Sequence, residues 1–160
     1  MTATSRRPVV TESTASQRGR RNRARGATCE RTTARYLTAW WPDAVRAIRN
    51  TNPDPGDVAN TSPSLWWSVK DCAVERYPEW LAEMADKAQG RIGLLVVRRR
   101  GHADPARWWC WTTLHDFTEI TGGPPPGSMA GVLDQWPVRM ELGHVLPLLA
   151  AAGYAQGRAA

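Results

Sequence analysis

Apolar positions recur at steps of three and four from residue 27 onward, with Ala34, Leu37, Trp40 and Trp41 on one side of a stretch free of glycine and proline. The spacing predicts an amphipathic helix that ends at Trp41, because Pro42 disfavours helical backbone in the residue before it. Ala44 to Arg49 reads as a short strand with Val45 and Ala47 towards one side. The loop TNPDPG then delivers Asp57 and Val58 into another short strand. After the turn NTSPS, the run LWWSVK alternates, placing Trp66, Ser68 and Lys70 on one face and Leu65, Trp67 and Val69 on the other. These two strands are expected to pair as a hairpin.

Pro78 to Gln89 predicts a helix burying Trp80, Leu81, Met84 and Ala88. Ile92 to Val97 is a continuous apolar run followed by three arginines, the pattern of a central strand covered on both faces. WWCWTTL predicts a further strand, leading into a short helix near His115. Beyond the Gly/Pro-rich residues 123–136, Val138 to Leu142 reads as an edge strand and Val145 to Tyr154 as a closing helix interrupted by Pro147.

Strands and helices in this order imply one α/β domain with a central mixed sheet flanked by helices, and 160 residues bury one core rather than two. The core of this domain is expected over residues 27–122, with a C-terminal strand and helix over 137–160. Residues 1–26 contain almost no large apolar side chain and are expected to be a disordered basic arm.

Charge adds a partner to this picture. Lys and Arg number 21 against 15 Asp and Glu, a net +6, and all but Lys70 and Lys87 of the basic residues are arginines. Guanidinium groups fork onto phosphate oxygens and stack on bases, so nucleic acid is the expected partner, although a high-GC coding bias, which also enriches Ala, Gly and Pro, accounts for the arginines equally well. Arg18, Arg20, Arg21, Arg23 and Arg25 form a cluster that reads either as a phosphate-binding arm or as a solvated tail. Arg98, Arg99 and Arg100 form a second basic group. The nine tryptophans suggest base stacking, but Trp40, Trp67, Trp80 and Trp109 fall where periodicity expects core.

Three scattered cysteines in no CxxC spacing argue against a disulfide framework or a zinc ribbon. The histidines are equally dispersed. No apolar run is long enough to span a bilayer, and the N-terminus lacks a secretory signal, so the expectation is a cytoplasmic protein with no membrane association.

The candidate chemistry lies in three pieces: Glu30 on the first helix, Asp57 after a glycine at a strand entrance, and Lys70 at the end of the next strand. Carboxylate oxygens suit a hard divalent cation, and an ammonium beside it can orient water or stabilise charge on a phosphate. Asp54 and Glu83 are nearby carboxylates of secondary interest, and alternation points Asp71 away from Lys70.

The order helix Glu, then Gly-Asp, then Lys at a strand end resembles the PD-(D/E)xK nuclease superfamily. Within it, the runs ATCERTTARYLTAWWPDA, PGDV, LWWSVKD, EWLAEMADKA, GLLVVRRRG and RWWCWTTLHDF resemble Holliday junction resolvase-like nucleases of actinobacterial phages and prophages, over roughly residues 18 to 122. The resemblance implies a restriction-endonuclease-like fold, Mg²⁺ or Mn²⁺ held by Glu30 and Asp57, catalytic assistance from Lys70, and a homodimer acting on four-way or branched DNA in the host cell cytoplasm. Position 68 departs from it: the superfamily carries an acid or Gln two residues before the lysine, and this chain has Ser68. A hydroxyl is a neutral, weak ligand, so the expected outcome is either a slower, more metal-hungry enzyme or a DNA-binding protein without activity.

Overall fold

A computed structural model describes residues 11–48, 53–123, 133 and 136–155. Its first helix, α1 (Thr11–Leu37), starts well before the predicted boundary. Residues 11–26 are therefore helical, which corrects the expectation of a disordered arm; residues 1–10 lie outside the described part. Nucleating a helix is the costly step and arginine is a good helix former, so the segment after residue 27 can propagate backwards through Arg18–Arg25 without an apolar face of its own. Cys29, Glu30, Thr33, Ala34 and Leu37 are its buried positions, at steps of three and four.

Two short strands, β1 (Val45–Arg46) and β2 (Val58–Ala59), pair antiparallel with each other. Val45 is exposed while Ala44 and Ala47 are buried, the reverse of the face predicted for Val45. The main sheet is formed by β3 (Leu65–Lys70), β4 (Ile92–Val97), β5 (Trp109–Thr113) and β6 (Pro137–Glu141), in that spatial order. β3 and β4 run parallel, joined by α2 (Tyr77–Ala88), whereas β5 and β6 each pair antiparallel with the strand before. The sheet is thus mixed, its central β4 is buried along its whole length, and β6 is an edge. A 3₁₀ turn (Pro105–Arg107), α3 (Leu114–Ile120) and α4 (Leu142–Ala151) complete the described elements.

Alternation along the strands divides the core. Leu65, Trp67, Val69, Ile92, Leu94, Val96 and Cys110 face α1 and α4, while Trp66, Leu95 and Val97 face Met84 and Ala88 of α2. Gly93 lets α2 approach closely: a Cβ there would lie 2.8 Å from Met84 Cγ. Four tryptophans (41, 66, 67 and 108) are buried; Trp40, Trp80 and Trp109, expected in the core, are only partly so. Among the described residues no helix is long and apolar enough to cross a membrane.

Candidate active site

The predicted hairpin between the Asp57 strand and β3 does not form. Instead the chain entering β2 lies alongside β3 through a single parallel bridge, Gly56 to Trp67, and the Asp57 N–H donates to the Trp67 carbonyl at 2.7 Å. Gly56 makes that approach possible: its φ is +79°, and a Cβ would stand 2.2 Å from the Trp67 oxygen. Asp54 caps this turn, its Oδ1 accepting from the Gly56 N–H at 3.0 Å.

The bridge holds the Asp57 carboxylate against β3. Its Oδ2 accepts from the Val69 N–H at 2.7 Å, and Ser68 Oγ donates to the same oxygen at 3.4 Å. Burial pushes the Asp57 carboxyl above its ordinary range and the negative charge of Glu30 adds to this, opposed by the Val69 N–H, Lys70 and Ser68. Ser68 is thus turned towards Asp57, as a support for that carboxylate.

Glu30 is 8% exposed on α1, and Arg46 Nε of β1 donates to its Oε2 at 2.5 Å. The Lys70 ammonium, at the end of β3, is 3.2 Å from Glu83 Oε2 on α2, while Lys87 holds the other Glu83 oxygen at 2.7 Å. The hydrogen bond from Lys87, reinforced by Lys70, keeps the Glu83 carboxyl below its usual range.

Glu30, Asp57 and Lys70 all line one open cleft of about 790 Å³, together with Arg23, Arg25 and Trp80. Asp71 also lines it. Rather than pointing away as alternation implies, Asp71 follows the end of β3 and is bracketed by Arg25 at 2.9 Å and Arg98 at 3.0 Å, tying α1 to the end of β4. Sequence reasoning missed both Asp71 and Arg46; the adjacency of Asp71 to a lysine at a strand end was the only signal, and Arg46 gave none.

The basic residues separate into groups. Arg18, Arg20 and Arg21 are exposed on α1, and Arg23 and Arg25 line the cleft. Arg98 is engaged by Asp71, and Arg99 pairs with Glu141 at 3.1 Å while stacking on Trp109. Arg100 lines a smaller recess with Arg25, Asp71 and Arg98.

Glu30 and Asp57 offer hard oxygen donors from separate elements in a cleft open to solvent; burial first, and the charge of Glu30 second, make Asp57 hard to ionise, and a cation between the two carboxylates would favour the ionised form. That donor set fits a divalent ion such as Mg²⁺ or Mn²⁺, with water completing its shell. A second cluster, His115, Asp116 and Glu119, has its potential ligand atoms within 4.8 Å of one another. There Asp116 Oδ2 accepts from the Gly93 N–H at 3.0 Å and Glu119 Oε1 accepts from the Tyr154 hydroxyl at 3.1 Å. Compared with protein-family models, with curated proteins and with solved structures, the chain matches none.

Proposed function

We propose that the chain is a metal-dependent DNA endonuclease with a restriction-endonuclease-like arrangement, cutting four-way or other branched DNA as a homodimer. The observation that carries this reading is the meeting of Glu30, Asp57 and Lys70, from α1, the β2 entrance and the end of β3, in one cleft with arginines on its wall. The resemblance of the Glu, Gly-Asp and Lys pattern to PD-(D/E)xK nucleases supports it, as does the net charge of +6.

In this reading Glu30 and Asp57 hold Mg²⁺ or Mn²⁺. When bound, the ion supplies positive charge to the phosphate and acidifies a water. Lys70, oriented by Glu83, faces the charge that grows on the phosphate oxygens as water adds to phosphorus and one P–O ester bond breaks. Arg23 and Arg25 hold neighbouring backbone phosphates, and the exposed Arg18, Arg20 and Arg21 extend that contact along α1.

A second reading, a DNA-binding protein of the same architecture without catalysis, is favoured by Ser68 and by the Arg46 guanidinium on one Glu30 oxygen. The test is incubation of labelled four-way junction and matched duplex with the protein in Mg²⁺ and in Mn²⁺, beside Asp57→Ala and Lys70→Ala. Cleavage that disappears in both variants is the expected result. Binding without cutting in either metal contradicts the nuclease reading and leaves the second.

A further inference from the structure

Among the described residues α2 packs chiefly on β3 and β4, and its Tyr77 reaches Trp111 on the β5 part of the same sheet face. Register fixes what stands there. Lys70, Val97, Trp109 and Glu141 form one row across the four strands, and Ser68, Leu95, Trp111 and Arg139 form the next. The β5 part of this face therefore carries Trp109 and Trp111 side by side, both half-buried.

Guanidinium groups interleave with these rings. Arg99 lies 4.3 Å from the Trp109 ring centre, and Arg139 lies 4.5 Å from that of Trp109 and 5.3 Å from that of Trp111. Tyr77 continues the series 4.5 Å from Trp111, and Trp80, 5.6 Å from Tyr77, also lines the cleft. Arg99 is matched by Glu141, but Arg139 is exposed and contacts no carboxylate among the described residues. A half-buried row of aromatic rings with an exposed, unmatched guanidinium among them complements a ligand that carries both flat π-systems and negative charge.

We propose that this Trp109–Trp111–Arg139 surface is a binding site for single-stranded nucleic acid, its bases stacking on the indoles and its phosphates meeting Arg139. An unpaired strand is required, because bases within a duplex keep their faces stacked on one another. Adjacent strands lie about 4.8 Å apart, so Arg139 stands roughly 14 Å across the sheet from Ser68, and a strand of a few nucleotides reaches from the platform to the cleft. Binding here stands apart from cleavage and is measured without it.

The experiment titrates the full chain in EDTA with fluorescently labelled oligothymidylate, oligouridylate and a duplex of equal length, reading anisotropy and indole fluorescence. Single strands are expected to bind more tightly than duplex and to quench indole emission; their ratio identifies the preferred sugar. Trp111→Ala weakens single-strand binding at least about fivefold, the effect of losing one stacked base. Arg139→Ala, an exposed change that leaves every ion pair of the described residues intact, weakens it several-fold even where the tryptophan variant fails to fold. Unchanged affinity in Arg139→Ala, tighter binding of duplex, binding without quenching, or a self-association through this face that Arg139→Ala abolishes would each overturn the proposal.

Discussion

Carboxylates gather at both ends of the sheet, and the two gatherings differ in what their oxygens already do. At the end carrying Lys70, Glu30 and Asp57 come from separate elements, far apart in sequence, and meet in an open cleft. At the opposite end, His115, Asp116 and Glu119 come from α3 alone, a helix of seven residues. Asp116 there accepts from the Gly93 N–H, with the Thr112 hydroxyl 3.5 Å away, and its own N–H is capped by Thr113. It joins α3 to β4. The comparison teaches that proximity of acids is a poor guide by itself: helical spacing brings acids together at no cost, whereas convergence of distant segments on a cleft requires a fold that holds them there.

The largest expected separation between the two ends is in activity against stability. Asp57→Ala and Lys70→Ala are expected to lower cleavage of branched DNA at least about a hundredfold, the scale of losing one preorganised charge-stabilising group. Asp116→Ala leaves cleavage within a few-fold but orphans the Gly93 N–H, lowering stability by about 1–3 kcal/mol in denaturant titration. Equal activity losses at both ends would erase the distinction.

A smaller effect is expected from Ser68→Asp. The new carboxylate would face Asp57, where Ser68 Oγ now stands 3.4 Å from Oδ2, so the metal-free protein should melt at a lower temperature. The added ligand charge should lower the Mg²⁺ needed for half-maximal cleavage several-fold. A variant with unchanged metal dependence would show that position 68 does not face the ion.

The smallest effect concerns pH. Burial raises the carboxyl pKa of both Asp57 and Asp116 in the folded protein. Each therefore contributes stability that is fully present below the ordinary carboxylate pKa and is lost as pH rises through the raised value. Asp57→Asn, which keeps an acceptor for the Val69 N–H, should stabilise the metal-free protein at neutral pH and flatten that part of the pH profile. Thermal melts between acidic and neutral pH read this directly; a destabilised Asp57→Asn at neutral pH would contradict the assigned burial cost.

Much of the fold was legible because burial writes itself into period. The unbroken apolar run at Ile92–Val97 marked the central strand, alternation in LWWSVK assigned its two faces, and the weaker signal at 138–142 located the edge strand with a one-residue shift. Failures came where no apolar pattern exists. The arginine-rich start of α1 is helical by continuation rather than by burial, and a bridge formed by one glycine pressed against a strand has no periodic signature. For the site, Gly56-Asp57 was readable as a glycine before an acid at a strand entrance, whereas the pairings made by Arg46, Asp71 and Glu83 depend on how separate elements pack.

The central claim, that Glu30 and Asp57 together hold a divalent cation, is tested most directly by Mn²⁺ binding to the purified chain, followed by electron paramagnetic resonance. The account predicts binding that Glu30→Gln and Asp57→Asn each abolish or weaken at least about tenfold, as loss of a charged oxygen ligand does, and that Asp116→Asn leaves unchanged. Mn²⁺ binding that survives both cleft variants and disappears in Asp116→Asn would place the ion at the other end of the sheet and contradict it.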